Sequence, residues 1–488
     1  MDHGAEYYGS QVPNRDVINY TYTDMPWKLI LLDMWYAIKY SPSLPHVLWP
    51  LFPTYTFDEL RLNVQNMWCM FIHAVLIILQ VSFFLSLPMA AFLPGWTTLT
   101  AIGVFLSVNW VICRFLLNGP SLIYKSRPQY ALDRKEHQNE QWIFLNGVSV
   151  GRHWLQGNLD RLALTFGRPI IGVHNRTNGI IFDLIEVMVQ RCLNLGTSDI
   201  RLVYKVLKGK LYDDRYDTVI FILHSQGGVE GGLVIDWLLQ ELPQDLLHKL
   251  EVYTFGNAAN HFNNPHRHAK SQALQCDEEL TTYAEDESPS YGAGFVEDPE
   301  MGAYPNPTAG KASTPKEPNG KPDLNKKQAS LDRAIRHIEH YAHTSDFVAK
   351  WGILHFATNE RATEQIPRFV GRLFSRDQPG HMLNQHYLHG MFPLARNSAG
   401  DYTGCAEDNE FMESFVGNST GRDHGANHDF AREGLDSSVC GVKEGAKVLQ
   451  QVNAVDHGNE HVQVKDLSRL WQYRNGRIPK RIDPKSLA

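Results

Sequence analysis

Two stretches of this chain, residues 67–87 and 96–117, are long and apolar, and no ordinary soluble fold easily absorbs both. The first contains Phe71-Ile72-His73-Ala74-Val75-Leu76-Ile77-Ile78-Leu79, and the second Ala101-Ile102-Gly103-Val104-Phe105-Leu106. A helix crossing a bilayer needs about 20 apolar residues, and both stretches reach that length. Between them, Pro88 to Gly95 carries no charge, so a tight turn there can enter the bilayer at little cost. A transmembrane hairpin over 67–117 is therefore expected, whether it spans the membrane or dips into one leaflet. Arg114, Lys125, Arg127, Arg134 and Lys135 follow it, and the positive-inside rule assigns that flank, and the N-terminus with it, to the cytosol. A pair of buried core helices is the competing expectation, and His73, Gln80 and Asn109 argue for it. Residues 1–66 are expected as a cytosolic or interfacial segment, with an aromatic-rich helix over 27–40 lying at the membrane surface. Met1 to Glu6 lack the basic start and apolar core of a signal peptide.

From Glu140 onward the pattern changes. Short apolar runs at 142–145, 169–173, 218–223, 250–256, 338–347 and 368–374 alternate with helical stretches at 182–191 and 228–240. That alternation predicts an α/β domain over 118–396, a mostly parallel sheet covered by helices. Residues 263–330 interrupt it with Pro, Gly, Ser, Lys and Glu and few large apolar side chains, as a flexible insertion does. Residues 397–488 are weakly patterned and are expected as an irregular tail.

Composition narrows the chemistry. A net charge of −7 with both signs abundant gives no reason to expect nucleic acid. The six cysteines stand far apart with no CxxC pair, which argues against a zinc site and a disulfide framework. His261, His266 and His268, and His337, His340 and His343, form two clusters without nearby cysteines. They are expected as surface or core histidines rather than a metal site.

The chemically loaded stretch is Phe221-Ile222-Leu223-His224-Ser225-Gln226-Gly227-Gly228. Ser225 directly follows a β-rich apolar run and directly precedes a helix, the strand–turn–helix setting of a nucleophilic serine. A serine projecting from so sharp a turn needs small neighbours, which Gly227 and Gly228 supply, while Gly231 and Gly232 let the helix approach the sheet. The usual pattern is G-x-S-x-G, and Leu223 stands at its first glycine. The helix start offers the Gln226 N–H to an oxyanion, and Asn146-Gly147-Val148 offers the Val148 N–H, unless it is an ordinary Asn-Gly turn.

A serine needs a base, and the base an orienting acid. Asp346 lies where the 338–347 strand should end, and it also suits a helix N-cap. His381 follows a Pro-Gly loop after the last strand, with His386 as its rival, deeper in a helical pattern. Asn19-Tyr20-Thr21, Asn175-Arg176-Thr177 and Asn418-Ser419-Thr420 match the glycosylation pattern, which a cytosolic domain leaves unmodified.

With these residues in place, the stretch 140–388 resembles the α/β-hydrolase superfamily, and within it the lipase-like serine esterases. The resemblance rests on His224 to Gly228, on Val252-Tyr253-Thr254-Phe255-Gly256-Asn257, and on Asp346 and His381 following Ser225 in that order. It implies Ser225 as nucleophile, His381 as general base and acid, Asp346 as its orienter, and Gln226 and Val148 as oxyanion donors. It implies ester cleavage through an acyl-enzyme without a cofactor. The departures are Leu223 and the hairpin. A membrane tether brings acyl lipids to high local concentration, so a lipid ester is the expected substrate and the bilayer the expected partner. An inactive scaffold that recruits partners to a membrane is the other expectation, and acyl transfer a third.

Overall fold

Thr218–His224 is a strand with every residue buried, and its side chains alternate between two separate cores. Ile220 and Ile222 enter one; Val219, Phe221 and Leu223 enter the other. A strand apolar on both faces belongs in the middle of a sheet covered on both sides. The computed structural model has that architecture, and it describes residues 5–8, 24–90, 92–131, 134–269, 271, 332–358, 369–417 and 462–479.

The strands are β1 (Ala5–Tyr8), β2 (Ile123–Lys125), β3 (Glu140–Leu145), β4 (Ile170–Val173), β5 (Thr218–His224), β6 (Leu250–Phe255), β7 (His337–His343), β8 (Arg372–Arg376), β9 (Leu394–Arg396), β10 (Tyr402–Cys405) and β11 (Val416–Gly417). Nine form one sheet in the order β11-β1-β8-β7-β6-β5-β3-β4-β2. From β4 to β8 all neighbours are parallel; β2 and β1 join its two sides antiparallel, and β11 pairs parallel with β1. The longer helices are α1 (Pro26–Tyr40), α2 (Val64–Ala90), α3 (Gly95–Ile112), α4 (Arg152–Phe166), α5 (Ile180–Leu193), α6 (Ser198–Leu211) and α7 (Gln226–Glu241).

Local sequence explains these helices. Ile200, Val203, Leu207 and Leu211 recur every three or four residues and give α6 one buried stripe. Gly167, in the left-handed region at φ +65, ends α4, and its N–H donates to the Ala163 carbonyl. α4 packs into the core with Ile220 and Ile222, and α5, α6 and α7 into the core with Phe221.

The two apolar stretches are helices. α2 has 27 residues, and α3 continues through Cys113–Asn118 to give 24, both long and apolar enough to cross a membrane. Only 22% and 11% of their most apolar windows are buried, unlike core helices. Their polar side chains turn inward: Asn66, His73, Gln80 and Asn109 are buried, while Ile78, Leu85, Leu99 and Val104 are exposed. Phe83 stacks on Phe105 between the helices, with centroids 4.1 Å apart.

Several expectations change. β8 begins at Arg372 rather than 368, because Gly371 adopts φ +128 and a side chain there would meet Ile338; Arg368 itself lies outside the described residues. β7 ends at His343, and the chain turns before Asp346. The expected irregular tail contributes β10, which pairs with β9 just before it, the strand β11, and a buried segment over 462–479. In that segment Arg469 bonds Glu251 through two nitrogens at 3.0 and 2.8 Å, and Val464, Leu467, Leu470 and Trp471 are buried on two four-residue helices, too short a run to stand out in the sequence. Within 1–66, β1 joins the sheet, and α1 buries Leu29 and Asp33, with Asp33 paired to Arg191 at 2.8 Å. Of the expected insertion over 263–330, residues 270 and 272–330 lie outside the described residues, as do Asn19 and Asn418.

Candidate active site

Ser225 sits between β5 and α7 at φ 59 and ψ −123, a conformation that costs a non-glycine residue about 1–3 kcal/mol and must be held by its surroundings. Three backbone bonds hold it. Its N–H donates to the Phe255 carbonyl at 3.1 Å, and its carbonyl accepts from Gly228 at 2.9 Å and Ala258 at 3.2 Å. Glycine is required around it by close approach. A Cβ at Gly227 would lie 2.7 Å from the Leu145 carbonyl, and one at Gly147 would lie 2.9 Å from Ser225 Oγ. The loop after β3 therefore passes directly over the serine.

Asp346 and His381 meet as the sequence order suggested. The His381 Nδ1 donates to Asp346 Oδ2 at 2.7 Å, Tyr387 donates its hydroxyl to the same oxygen at 2.8 Å, and Asp346 Oδ1 accepts from Val348 N at 2.9 Å. Asp346 is thus both the partner of the imidazole and the N-cap of Phe347–Trp351. Burial alone would raise its pKa, but His381 and these hydrogen bonds outweigh burial and hold the carboxyl below its ordinary value. The other ring nitrogen, His381 Nε2, is buried and has no hydrogen-bond partner among the described residues.

The imidazole lies against Gly256, where a Cβ would come within 2.9 Å of His381 Cε1. Gly256 adjoins Phe255, whose carbonyl accepts the Ser225 N–H, so serine and imidazole flank the same two-residue turn. No hydrogen bond joins Ser225 Oγ to His381 among the described residues.

His386 is placed differently. Its Nδ1 accepts from Met382 N at 2.9 Å and its Nε2 donates to the Pro50 carbonyl at 3.0 Å, so both nitrogens are occupied. Burial, chiefly, pushes its pKa down to about 4. His337, His340 and His343 are likewise held by Glu339, Thr254 and the Gly380 carbonyl.

The expected oxyanion donors belong to a connected polar framework. The Gln226 side chain accepts from Asn175 Nδ2 at 2.9 Å and donates to Gln190 Oε1 at 3.0 Å. One residue beyond Val148, the Ser149 N–H donates to Asp183 Oδ2 at 2.9 Å. Asp183 also accepts from Thr177 Oγ1 at 2.6 Å and Asn178 N at 2.7 Å. The loop 175–179 thus holds both donor segments, and the hairpin holds that loop. Gln80 Nε2 donates to the Asn178 carbonyl at 2.7 Å, Asn109 Nδ2 donates to it at 2.9 Å, and Asn118 exchanges bonds with Thr177. Asn175 is buried and engaged, so its N-x-T pattern leaves no room for a glycan.

Sequence reasoning missed Tyr387, Asp183, Asn175 and His224. His224 donates from Nε2 to the His381 carbonyl at 2.8 Å and stacks on its ring, with centroids 4.8 Å apart. Burial and then the neighbouring His381 push its pKa down to about 3, so it stays neutral. No spacing in the sequence signals these four; the one local signal nearby was Gln80 and Asn109, polar residues inside apolar runs that grip the 175–179 loop. No protein-family model, curated protein or solved structure matches this chain.

Proposed function

We propose that this chain is a membrane-anchored serine hydrolase of the α/β-hydrolase type, cleaving a carboxylic ester, first among them a lipid ester, through an acyl-enzyme. The observation that carries the reading is the buried Asp346–His381 pair, whose Nε2 has no partner among the described residues, on the same 255–256 turn as a serine held in strained backbone. His381 Nε2 takes the Ser225 Oγ proton as Oγ bonds to the ester carbonyl carbon. The carbonyl oxygen becomes an oxyanion that the Gln226 and Val148 N–H groups stabilise. Asp346 holds the imidazolium meanwhile. The tetrahedral species collapses, the C–O bond to the alcohol breaks, and His381 returns the proton to that alcohol. Water then repeats the sequence on the acyl-enzyme and releases the acid.

The anchor reading is supported by the exposed apolar surface of α2 and α3 and by the inward turn of their polar residues. Both hairpin ends bond to one domain, Asn66 to Trp154 and Asn118 to Thr177, as a hairpin returning to its own side requires. The basic flank after α3 puts that side in the cytosol. The test is turnover of vesicle-embedded glycerolipid esters by the reconstituted chain beside its Ser225→Ala variant. Release of fatty acid that Ser225→Ala abolishes supports the reading. The same low release from both chains favours a scaffold, which the missing Ser225–His381 hydrogen bond also fits.

A further inference from the structure

The site lies at the carboxyl ends of the parallel strands, and each segment of the first 118 residues that touches the α/β domain near the site attaches at that same edge. The hairpin bonds to the loop after β4 through Gln80, Asn109 and Asn118. α1 reaches the helix after β7: Trp351 Nε1 donates to the Asp33 carbonyl at 3.2 Å. The strap that follows α1, residues 41–52, lies across the loop after β8. There the Gly380 N–H donates to the His46 carbonyl at 2.8 Å, and the His381 N–H to the Val47 carbonyl at 3.0 Å. Gln385 and His386 both donate to the Pro50 carbonyl, at 2.6 and 3.0 Å. The backbone of the candidate base is therefore held directly by this strap.

What these segments turn outward is apolar. α1 exposes Trp27, Leu31, Trp35 and Ile38, and the strap exposes Leu48, Trp49, Leu51 and Phe52, the last at 79%. Single exposed apolar residues are ordinary, but a contiguous set marks an interface. α5 joins this set to the hairpin. It bonds to α1 through Arg191 and Asp33 and to α2 through the Ile181 N–H and Gln80 Oε1, and it exposes Leu184 and Ile185 between them. Exposed apolar side chains thus occur on the strap, on α1 and on α5, and bonds link these elements to the helices that are long and apolar enough to cross a membrane. Lys28 and Lys39 on α1 have stems long enough to hold their charges at headgroup level, and tryptophan favours that boundary.

We propose that the carboxyl edge of the sheet rests on the bilayer, with the outward faces of α1 and of residues 48–52 seated at the boundary between headgroups and acyl chains. The occupant of this face is the membrane surface itself. Its consequence for the site is a substrate class: an ester whose acyl chain lies in the leaflet and reaches Ser225 beneath the strap, in preference to an ester dissolved in water. The seating on the bilayer rests on the hairpin being an anchor and is independent of whether Ser225 is a nucleophile, whereas the substrate class rests on the proposed function as well.

The experiment places an environment-sensitive NBD fluorophore on single cysteines of the full chain, reconstituted in phosphatidylcholine vesicles. Cys276→Ser and Cys440→Ser form the background, since Cys69, Cys113, Cys192 and Cys405 are buried. The labelled variants are Leu31→Cys, Leu48→Cys, Phe92→Cys at the hairpin turn, and Arg215→Cys at the amino edge of the sheet. Lipid carrying a nitroxide near the headgroup is expected to quench positions 31 and 48 several-fold and to leave 215 unchanged. Quenching at 92 with positions 31 and 48 as insensitive as 215 overturns the proposal while leaving the anchor standing. No quenching at 92 by a nitroxide at the headgroup or along the acyl chain overturns both. Protection of 31 and 48 by dimerisation, seen as cross-linking between two copies without lipid quenching, also overturns it. Fluorophosphonate labelling of Ser225 on the same samples reports separately on catalysis.

Discussion

Leu223 occupies the space that a side chain on Gly231 would need: a Cβ there would lie 2.8 Å from Leu223 Cδ2. The leucine stands on β5 two residues before Ser225, where a glycine is usual, and the glycine stands on α7 facing it. The small residue has in effect moved from strand to helix, so the turn keeps its geometry while the core gains a buried leucine. Gly231→Val is expected to destabilise the chain by about 1–3 kcal/mol through overpacking. Leu223→Ala combined with Gly231→Val should recover part of that loss, because contacting residues are coupled. Thermal unfolding of the single and double variants checks it, and additive losses would contradict the packing account.

Asp346 fixes the tautomer of His381, and Asn at that position cannot. Asp346→Asn is expected to slow acylation by about 10⁴-fold, the cost typical of losing the acid of such a triad. His386→Ala, whose ring nitrogens serve Met382 N and the Pro50 carbonyl, should slow it far less. Rates of fluorophosphonate labelling measure both, and equal losses would show that His386 takes part.

The hairpin reaches both segments proposed to hold the oxyanion through the loop 175–179, so a residue inside an apolar helix should matter for reactivity. Gln80→Leu suits lipid better than glutamine does, yet it strips a donor from the Asn178 carbonyl and an acceptor from the Ile181 N–H. Expected are a stability loss of about 1–2 kcal/mol, the scale of such bonds in membrane helices, and slower labelling of Ser225. Ile78→Leu, on the exposed side of the same helix, should change neither.

His224 is neutral when folded, with its pKa pushed down to about 3 by burial and by His381, against about 6.5 when unfolded. The unfolded chain therefore binds the extra proton, and the contribution of this group is present above about pH 6.5 and lost as pH falls toward its folded value. His224→Gln keeps a donor for the His381 carbonyl and removes the titration. The stability of the native chain relative to this variant should decline by up to about 1.4 kcal/mol per pH unit below pH 6.5. Urea midpoints between pH 7.5 and 4.5 test this, and a pH-independent difference would contradict it.

The strand–serine–helix unit and the hairpin were legible because each is local. Seven buried residues before Ser225 and long apolar runs carry their own period or length. Asp346 and His381 were legible from their order alone. Tyr387 and His224 were not, since a hydroxyl on Asp346 and a ring on the His381 carbonyl are contacts between distant residues that leave no spacing to read. The same holds for Arg469, whose bonds to Glu251 span 218 positions and bring an apparently shapeless tail into the sheet. β1 is four residues long and joins β8 across most of the chain, too short to stand out.

The central claim is that Ser225 is a nucleophile activated by His381. It is tested most directly by labelling the reconstituted chain with a fluorophosphonate and locating the adduct by mass spectrometry. The account predicts one adduct on the peptide containing Ser225, abolished by Ser225→Ala and strongly reduced by His381→Ala. A folded native chain that takes up no label, or takes it up at another residue, would contradict it.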